Sequence, residues 1–272
     1  METPLLVRSP APEAYIDAVP AGKMFLQTSP ELCMKRMLAA GYPKIFQICK
    51  CFRAGERGPL HVPEFTMLEW YRAGWDYKRL MEETEELVWE IARGLGSTGG
   101  LPFGGKTIDL LPPWQRISVK EAFERHSAVP LEKAVEQDMF DEIMVSRIEP
   151  ELGHPRPTFI SDYPASMAAL ARTNRADPSV AERFEMYIGG LELANGFSEL
   201  TDPVEQESRF IEEEGRRRAA GKLPYPAPDR FLEALAHMPE AAGMALGVDR
   251  LAMVFSDTNE ISDVLAFTPE EL

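Results

Sequence analysis

The feature that most restricts the fold is a glycine pair, Gly189-Gly190, between two segments of strand-like composition, 183–188 and 191–194. A two-residue glycine turn between such segments is typical of a β-hairpin, whose strands are antiparallel. Further strands are predicted over 45–53, 64–72 and 158–161, and the order of elements shows no β-α-β alternation. The sequence therefore predicts an α+β fold in which helices flank an antiparallel sheet.

Helices are predicted from their capping residues, because Ser and Asp side chains accept hydrogen bonds from the first free amides. The predicted helices begin after Ser29, Asp76, Ser118 and Asp202, and three of them end at Gly41, Gly94 and Gly221. Ser118 with Glu121 has the spacing of a capping box. Apolar residues at helical spacing predict one more helix over 140–148.

Composition restricts the class of protein. The chain has 272 residues, of which 44% are hydrophobic and 27% charged, as in ordinary globular proteins. We expect one domain over residues 1–272. No apolar run approaches the roughly 18 residues of a membrane helix, and no basic, apolar leader opens the chain. Three cysteines without a paired spacing are typical of reduced thiols, which predicts a cytoplasmic protein.

The charge argues against a nucleic-acid partner. The net charge of −15 repels a polyanion, because such affinity depends on neutralising phosphates. The one dense basic cluster is Arg216-Arg217-Arg218 with Lys222. It is either the solvated end of a helix or a local binding patch.

Strand 64–72 places unusual residues on one face. Alternate side chains of a strand share a face, so Phe65, Glu69 and Tyr71 point the same way, opposite a normal apolar face. Glu is depleted in strands. Either this face is solvated, or it is the floor of a pocket in which an acid and a phenol hold a cation.

Two segments of the chain contain residue types that commonly bind phosphate groups. Arg53 ends one predicted strand, and His61 follows across a short loop, an arrangement that suits a phosphate group. Later in the chain, Gly247 permits close backbone approach, and Arg250 lies in the first turns of a predicted helix, where anions are favoured.

The predicted hairpin brings two acids together. A two-residue turn pairs Tyr187 with Glu192 and leaves Glu185 diagonal to Glu192 on the same face. Two adjacent carboxylates suit Mg²⁺, which binds one or two protein carboxylates together with phosphates. The alternative is that Glu185 and Glu192 are two exposed acids on a hairpin at the edge of the sheet. Glu199 follows seven residues later, after Asn195-Gly196, which we expect to break the strand.

Together these segments resemble class II aminoacyl-tRNA synthetases over the whole chain. Motif 2 is represented by Phe52-Arg53 and the run from His61 to Thr66, motif 3 by Gly247-Val248-Asp249-Arg250, and the end of motif 1 by Met1-Glu2-Thr3-Pro4. The lysine subgroup is indicated by Thr28-Ser29-Pro30-Glu31, by 66–71 and by 192–200. Within it, Trp70, the stretch 162–166 and Ala245 resemble the paralogous ligases that attach (R)-β-lysine to elongation factor P.

The resemblance implies an amino-acid pocket. Glu31 holds the amine near the reacting carboxylate, and Glu69, Tyr71 and Glu199 hold the distal ammonium. The other residues implied in this pocket are Ser29, Pro30, Asn195 and Ala245. The lysyl-tRNA synthetases resembled here have Gly where this chain has Ala245, in a turn that floors the pocket.

The resemblance also implies an ATP site. Arg53 grips the α-phosphate, where charge grows during attack, and Arg250 acts with it as a catalytic residue. His61 and Arg250 bind the outer phosphates, and Phe65 stacks on adenine. Glu185 and Glu192 bind Mg²⁺. The remaining ATP-binding residues implied are Glu56, Glu192, Leu193 and Gly247.

The chain departs from the family pattern at two positions. Val62 stands where relatives have Asn, and Gly55 where they have Glu, so we assign the adenine-edge contact to Glu56. The helix before motif 1 and the anticodon-binding barrel have no counterpart here. The resemblance implies a homodimer, which we expect to be weakened by the missing helix, and tRNA is not the expected acceptor.

Three functions remain open at this stage. The first is an ATP-dependent ligase that adenylates (R)-β-lysine and transfers it to a lysine of elongation factor P. The second is a free-standing lysine-adenylating enzyme with tRNA or another amine acceptor. The third is a silent paralogue, against which the intact set Arg53, Glu192, Glu199 and Arg250 argues.

Overall fold

The fold was analysed in a computed structural model, which describes residues 2–272; Met1, part of the predicted motif 1, lies outside the described residues. The strands are β1 (Leu6–Val7), β2 (Pro20–Ala21), β3 (Met24–Leu26), β4 (Lys44–Phe52), β5 (Glu64–Ala73), β6 (Gly100–Phe103), β7 (Lys106–Asp109), β8 (Gln115–Ser118), β9 (Thr158–Pro164), β10 (Val180–Ile188), β11 (Leu191–Ser198) and β12 (Ala241–Gly247). The helices are α1 (Glu31–Ala39), α2 (Tyr77–Gly94), α3 (Val119–His126), α4 (Leu131–Glu136), α5 (Phe140–Ile143), α6 (Pro203–Ala219), α7 (Asp229–Leu235) and α8 (Val248–Phe255).

A seven-stranded sheet forms the centre of the fold, in the order β4-β5-β12-β11-β10-β9-β8. Its neighbours are antiparallel, except that β8 and β9 are parallel. The predicted α+β class with an antiparallel sheet is therefore confirmed. The remaining strands form a small three-stranded sheet, β1-β3-β2, and a hairpin of β6 and β7.

The predicted helix signals are confirmed at three helix starts. Asp76 accepts a hydrogen bond from the amide of Arg79, Ser118 forms its capping box with Glu121, and Asp202 caps α6. At α1 the cap is different, because Pro30 is the first flanking residue and Ser29 Oγ accepts from the amide of Glu31. The stripe over 140–148 is helical, but its second half is a π-helix rather than a continuation of α5.

The two faces of the sheet are covered by different helices. Helices α2 and α8 pack on the apolar face, where Trp70, Phe184, Met244 and Leu246 are buried in the largest hydrophobic cluster. On the opposite side, α1 and α7 pack together near Tyr71 in a second cluster that also includes residues of α6. The candidate site described below lies on this second face.

Two predictions about strands are wrong. Asn195-Gly196 does not break a strand, because β11 continues to Ser198; Gly196 instead accommodates Phe184, whose ring carbon would stand 2.7 Å from an added Cβ. Ala245 does not lie in a turn, since residues 241–247 form β12, paired on both sides. Glycine in a strand here marks close packing rather than chain reversal.

The basic cluster on α6 is not a free patch. The side chain of Arg217 is 1% exposed, donates hydrogen bonds to the carbonyls of Glu13, Ile16 and Leu223, and forms an ion pair with Asp17. Lys222 also pairs with Asp17, at 3.0 Å. These residues therefore anchor the segment 13–17.

None of the helices found in residues 2–272 has the length and apolar character needed to cross a bilayer.

Candidate active site

One row of paired residues crosses the sheet on the face where the sequence predicts a pocket floor. Glu69 of β5 lies opposite Gln47 on one side and Ala245 on the other, and Ala245 in turn lies opposite Asn195. Asn195 is paired with Glu185 of β10. Because directly paired residues share a face, all five side chains belong to the same surface. Glu69 is only 2% exposed, which excludes the solvated alternative for this strand.

A β-bulge explains why Glu192 and Asn195 both belong to this surface. The register of β10 and β11 shifts between Met186 and Tyr187, so that Leu193 is the extra residue. Tyr187 pairs with Glu192 as predicted, but Glu185 lies opposite Asn195 rather than at the regular register. The hairpin lies inside the sheet, not at its edge, and Glu185 is buried.

A second row lies one step further along the same face. Tyr71, Gly243, Phe197 and Arg183 are paired in that order. A Cβ added at Gly243 would stand 2.2 Å from the ring of Tyr71 and 2.5 Å from Glu199 Oε1. Only glycine therefore allows the phenol and this carboxylate to occupy their positions.

Glu69 is held by hydroxyl groups, and no basic side chain of residues 2–272 forms an ion pair with it. Ser29 Oγ donates to Glu69 Oε1 at 2.5 Å, and Tyr71 OH donates to Oε2 at 2.9 Å. Burial raises the pKa of Glu69 to about 8, and the nearby charge of Glu31 acts in the same direction. Such a buried carboxylate is a ready partner for a cationic ligand, which would favour its ionised form.

The carboxylates of Glu31 and Glu199 both contact the ammonium group of Lys35. Lys35 Nζ lies 2.6 Å from Glu31 Oε1 and 2.5 Å from Glu199 Oε2. Burial raises the pKa of Glu199 to about 8, although the ammonium of Lys35 opposes that rise. The three predicted acids of the amino-acid pocket are thus brought together around Ser29, Tyr71 and Lys35.

Arg53 lies at the end of β4 beside Phe65. Its guanidinium carbon is 5.0 Å from the centre of the Phe65 ring, a cation–π distance, and its Nε is buried without a hydrogen-bond partner. Glu56 stands 3.9 Å from the guanidinium. This unpartnered donor is available to an anion, and the phosphate-binding role of Arg53 stays a prediction.

Arg250 connects the two segments predicted to bind phosphates. It contacts His61 Nε2 at 2.7 Å and donates to the carbonyl of Glu192 at 2.8 Å. Burial lowers the pKa of His61, and the charge of Arg250 adds to this effect. At Gly247, an added Cβ would meet only the side chain of Arg250, at 3.7 Å, so protein packing does not require glycine there.

The donor set for Mg²⁺ consists of Glu185 and Glu192. Burial raises the pKa of Glu192, and the adjacent Glu185 raises it further. Glu185 accepts from Arg183 at 2.7 Å and from Tyr187 at 2.8 Å, which fixes its orientation. In the described chain no three acidic, histidine or cysteine side chains cluster around one point. Two carboxylates fit a divalent ion that is bound jointly with phosphates.

Two predicted site residues, Leu193 and Pro30, and the departure at Val62 contribute through core packing or through the backbone. The side chain of Leu193 is buried in the main hydrophobic cluster, so only its backbone is left for the predicted contact with ATP. Val62, the residue after His61, is buried in the same cluster, where its apolar side chain packs in the core. Pro30 acts through the backbone as the flanking residue of α1.

Three charged residues near the site were not predicted from the sequence. They are Lys35, Arg183 and Glu13. Lys35 follows Glu31 by four residues on a predicted helix, a spacing that indicates an ion pair. Arg183 alternates with Glu185 on β10. Glu13 carried no local signal: its pKa is raised to about 7 by burial, against the opposing charge of Arg53.

Comparison with known proteins identifies the family of the chain. The family described as class II tRNA synthetases (D, K and N) matches residues 1–271. A protein of Salmonella arizonae named elongation factor P–(R)-β-lysine ligase is 42% identical over 269 residues, covering 90% of this chain and 77% of its own. Proteins of the same name from Erwinia tasmaniensis and Pectobacterium carotovorum are 42% and 44% identical, with 77% and 78% of their lengths covered.

Proposed function

The chain belongs to the D, K and N group of class II tRNA synthetases, and from this membership we propose that it activates (R)-β-lysine with ATP and joins it to elongation factor P. It is an ATP-dependent amino acid ligase, as its class II synthetase family and the word ligase in the names of its relatives indicate. The proposal goes beyond the family in naming the substrate, the acceptor and the residues that act.

The observation that carries the proposal is the charge pattern of one sheet face. Three carboxylates, those of Glu31, Glu69 and Glu199, are grouped beside a face that also holds Arg53 with an unpartnered donor. A phosphate-binding site rarely tolerates so many acids, because they repel the phosphates. A substrate with two ammonium groups resolves this conflict, since its cations balance the acids.

The first chemical step joins the amino acid to the α-phosphate. An oxygen of the substrate carboxylate attacks the α-phosphorus, the bond to the bridging oxygen breaks, and pyrophosphate leaves with that electron pair. Arg53 stabilises the negative charge that grows on the α-phosphate. Glu31 orients the near amine, and Glu69, Tyr71 and Glu199 orient the distal ammonium, with Ser29, Pro30, Asn195 and Ala245 lining the pocket.

The nucleotide is held on the other half of this face. Phe65 stacks on the adenine, Glu56 contacts its edge, and His61 with Arg250 binds the outer phosphates. Leu193 and Gly247 contribute backbone. Glu185 and Glu192 would hold Mg²⁺, which neutralises phosphate charge when bound.

The second step transfers the aminoacyl group. The neutral ε-amine of a protein lysine attacks the carbonyl carbon of the adenylate, AMP leaves, and an amide forms as the amine loses its proton. A net charge of −15 disfavours tRNA as the acceptor, because tRNA binding requires phosphate neutralisation.

The assembly and setting complete the proposal: a cytoplasmic homodimer with one catalytic domain per chain. Support for a dimer comes from the edge strand β4, whose outer face exposes Phe46 at 69% and Ile48 at 56%. Exposed apolar side chains on an unpaired edge are typical of an interface.

ATP–pyrophosphate exchange tests the first step. We expect exchange with (R)-β-lysine well above that with L-α-lysine, and Arg53→Ala to reduce it by about 10²-fold or more. Transfer of labelled β-lysine to elongation factor P, against total tRNA, tests the acceptor. Label on tRNA alone would replace this proposal with that of a free-standing lysine-adenylating enzyme, and no exchange would contradict both.

A further inference from the structure

The amino-acid pocket contains a lysine of its own. The side chain of Lys35 is 1% exposed, and its ammonium contacts Glu31, Glu199 and the ring of Phe197, the last at 5.0 Å from the ring centre. A buried ammonium on a flexible chain requires such partners to offset its lost hydration. The charge of Lys35 is therefore directed at two of the three pocket acids and not at solvent.

We propose that Lys35 is a positioning residue for the amino-acid substrate: it fixes the carboxylates of Glu31 and Glu199 and leaves Glu199 Oε1 to accept the substrate ammonium. This inference rests on the proposed function, because it assigns an acceptor atom to that substrate.

The free oxygen of Glu199 supports this assignment. Glu199 is fully buried, and neither of its oxygens accepts a well-aligned hydrogen bond from residues 2–272; Oε2 is ion-paired with Lys35 at 2.5 Å, whereas Oε1 has no such partner there. Oε1 is directed at the space above Gly243, beside the ring of Tyr71. A buried acceptor without a donor is unfavourable, and a ligand ammonium supplies the missing donor.

The lysine also controls how much negative charge the pocket offers. The titratable groups around it are Glu31, Glu69, Tyr71 and Glu199, with Cys49 near Glu69. Although burial acts against its charge, Glu199 and Glu31 raise the pKa of Lys35, so its ammonium stays charged. Without it, burial would raise the pKa of Glu199 further, and fewer carboxylates would be ionised at neutral pH to receive the diamine.

The competing explanation is an ion pair that only stabilises the fold. Glu31 and Lys35 are four residues apart on α1, a spacing that stabilises helices in general. A merely structural pair would affect the use of ATP and β-lysine alike. A positioning role predicts an effect confined to the amino acid, and one that depends on pH.

The test compares Lys35→Met with Lys50→Met. Lys50 is a half-exposed lysine on β4, 3.8 Å from Glu64. In pyrophosphate exchange we expect Lys35→Met to raise KM for β-lysine by about 10- to 100-fold, the loss typical of a hydrogen bond to a charged group, with KM for ATP unchanged. The rise of kcat/KM with pH should move to higher pH. Lys50→Met should match the wild type.

Chemical rescue provides a second measurement. Lys35→Ala leaves a cavity that a small alkylammonium ion can enter, so ethylammonium or propylammonium should lower KM for β-lysine in this variant and not in the wild type. Equal changes in both KM values, or no rescue together with an unshifted pH profile, would overturn the positioning role.

A measurement without substrate separates this inference from the proposed function. With Lys35 removed, the loss of stability with rising pH should continue above about pH 8, where it levels off in the wild type, because the further raised pKa of Glu199 lets the folded state keep a proton that the unfolded chain has released. Unfolding temperatures report this directly. If the wild type shows no exchange with any lysine isomer, the proposed function fails. An unchanged pH dependence of unfolding in Lys35→Met contradicts the inference alone.

Discussion

Ala245 lies directly opposite Glu69 across the pairing of β12 and β5, so that a methyl group and a buried carboxylate stand side by side on the pocket face. Asn195 flanks the same alanine from β11. Side chains paired in this way are about 4.5–5.5 Å apart at Cβ. The methyl group therefore reduces the space next to one of the acids that is proposed to receive the substrate.

Replacing this alanine tests which isomer the pocket favours. The two amines are one carbon further apart in α-lysine than in (R)-β-lysine, so a methyl group that reduces the space at the Glu69 end of the pocket obstructs the α-isomer more. A methyl group in a shaped pocket discriminates by about 10- to 200-fold. We expect Ala245→Gly to raise kcat/KM for L-α-lysine relative to β-lysine by about tenfold, measured by pyrophosphate exchange.

The control for this variant is Ala242→Gly. Ala242 is a buried residue of the same strand, packed in the main hydrophobic cluster on the opposite face. The Ala242→Gly variant shows how a glycine substitution elsewhere in β12 affects the isomer preference. An equal shift in isomer preference in both variants would exclude a specific role for Ala245.

Gly243 is predicted to be essential for the distal part of the pocket. An alanine methyl there would stand 2.2 Å from the Tyr71 ring and 2.5 Å from Glu199 Oε1, so both side chains must move. Misplaced binding groups cost large factors in rate. We expect Gly243→Ala to reduce β-lysine activation by about 10²-fold, with ATP binding retained.

Gly215→Ala is the matched control, because an added Cβ at that helical position meets nothing within 4 Å. It should leave exchange unchanged and slightly stabilise α6, as alanine favours helices over glycine. Normal β-lysine kinetics in Gly243→Ala would show that Tyr71 and Glu199 do not bind the substrate.

The buried acid Glu69 predicts a pH dependence of stability. Its pKa is raised to about 8 in the folded protein, so the folded state keeps a proton that the unfolded chain releases near pH 4.5. This contribution is complete below about pH 4.5 and is lost as the pH rises to about 8. Glutamine mimics the protonated form, so Glu69→Gln should exceed the wild type in unfolding temperature by a margin that grows from pH 5 to 8.

Glu64→Gln, an exposed position on the same strand, should show no such pH-dependent margin. A constant difference between Glu69→Gln and the wild type over this pH range would mean that Glu69 is already ionised in the folded protein.

The sequence predicted the parts of the site that follow local rules. The two-residue period of a strand placed Glu69 and Tyr71 on one face, and the glycine pair placed the β10–β11 turn. The bulge at Leu193 was not predictable, because one extra residue leaves no mark in composition. It is nevertheless the reason that Glu192 and Asn195, three positions apart, both serve the pocket face.

Contacts between residues far apart in the chain could not be predicted from local sequence patterns. The ion pair of Lys35 with Glu31 has a helical spacing that could have been recognised, but its contact with Glu199 joins residues 164 positions apart. The same limit applies to Arg217, which was read as part of a charged helix end and is in fact buried under segment 13–17. Only the tertiary fold brings such partners together.

The exposed apolar face of β4 predicts self-association. Phe46 and Ile48 are far more exposed than buried apolar residues of the same sheet, and a partner subunit would remove them from water. We expect the wild type to sediment as a dimer at micromolar concentration, and Phe46→Glu, which places a charge in the proposed interface, to shift it to the monomer. Val204→Glu, at an exposed position on α6, adds the same charge elsewhere and should remain dimeric. A wild type that sediments as a monomer, or a Phe46→Glu variant that stays dimeric on dilution, would remove β4 from the interface.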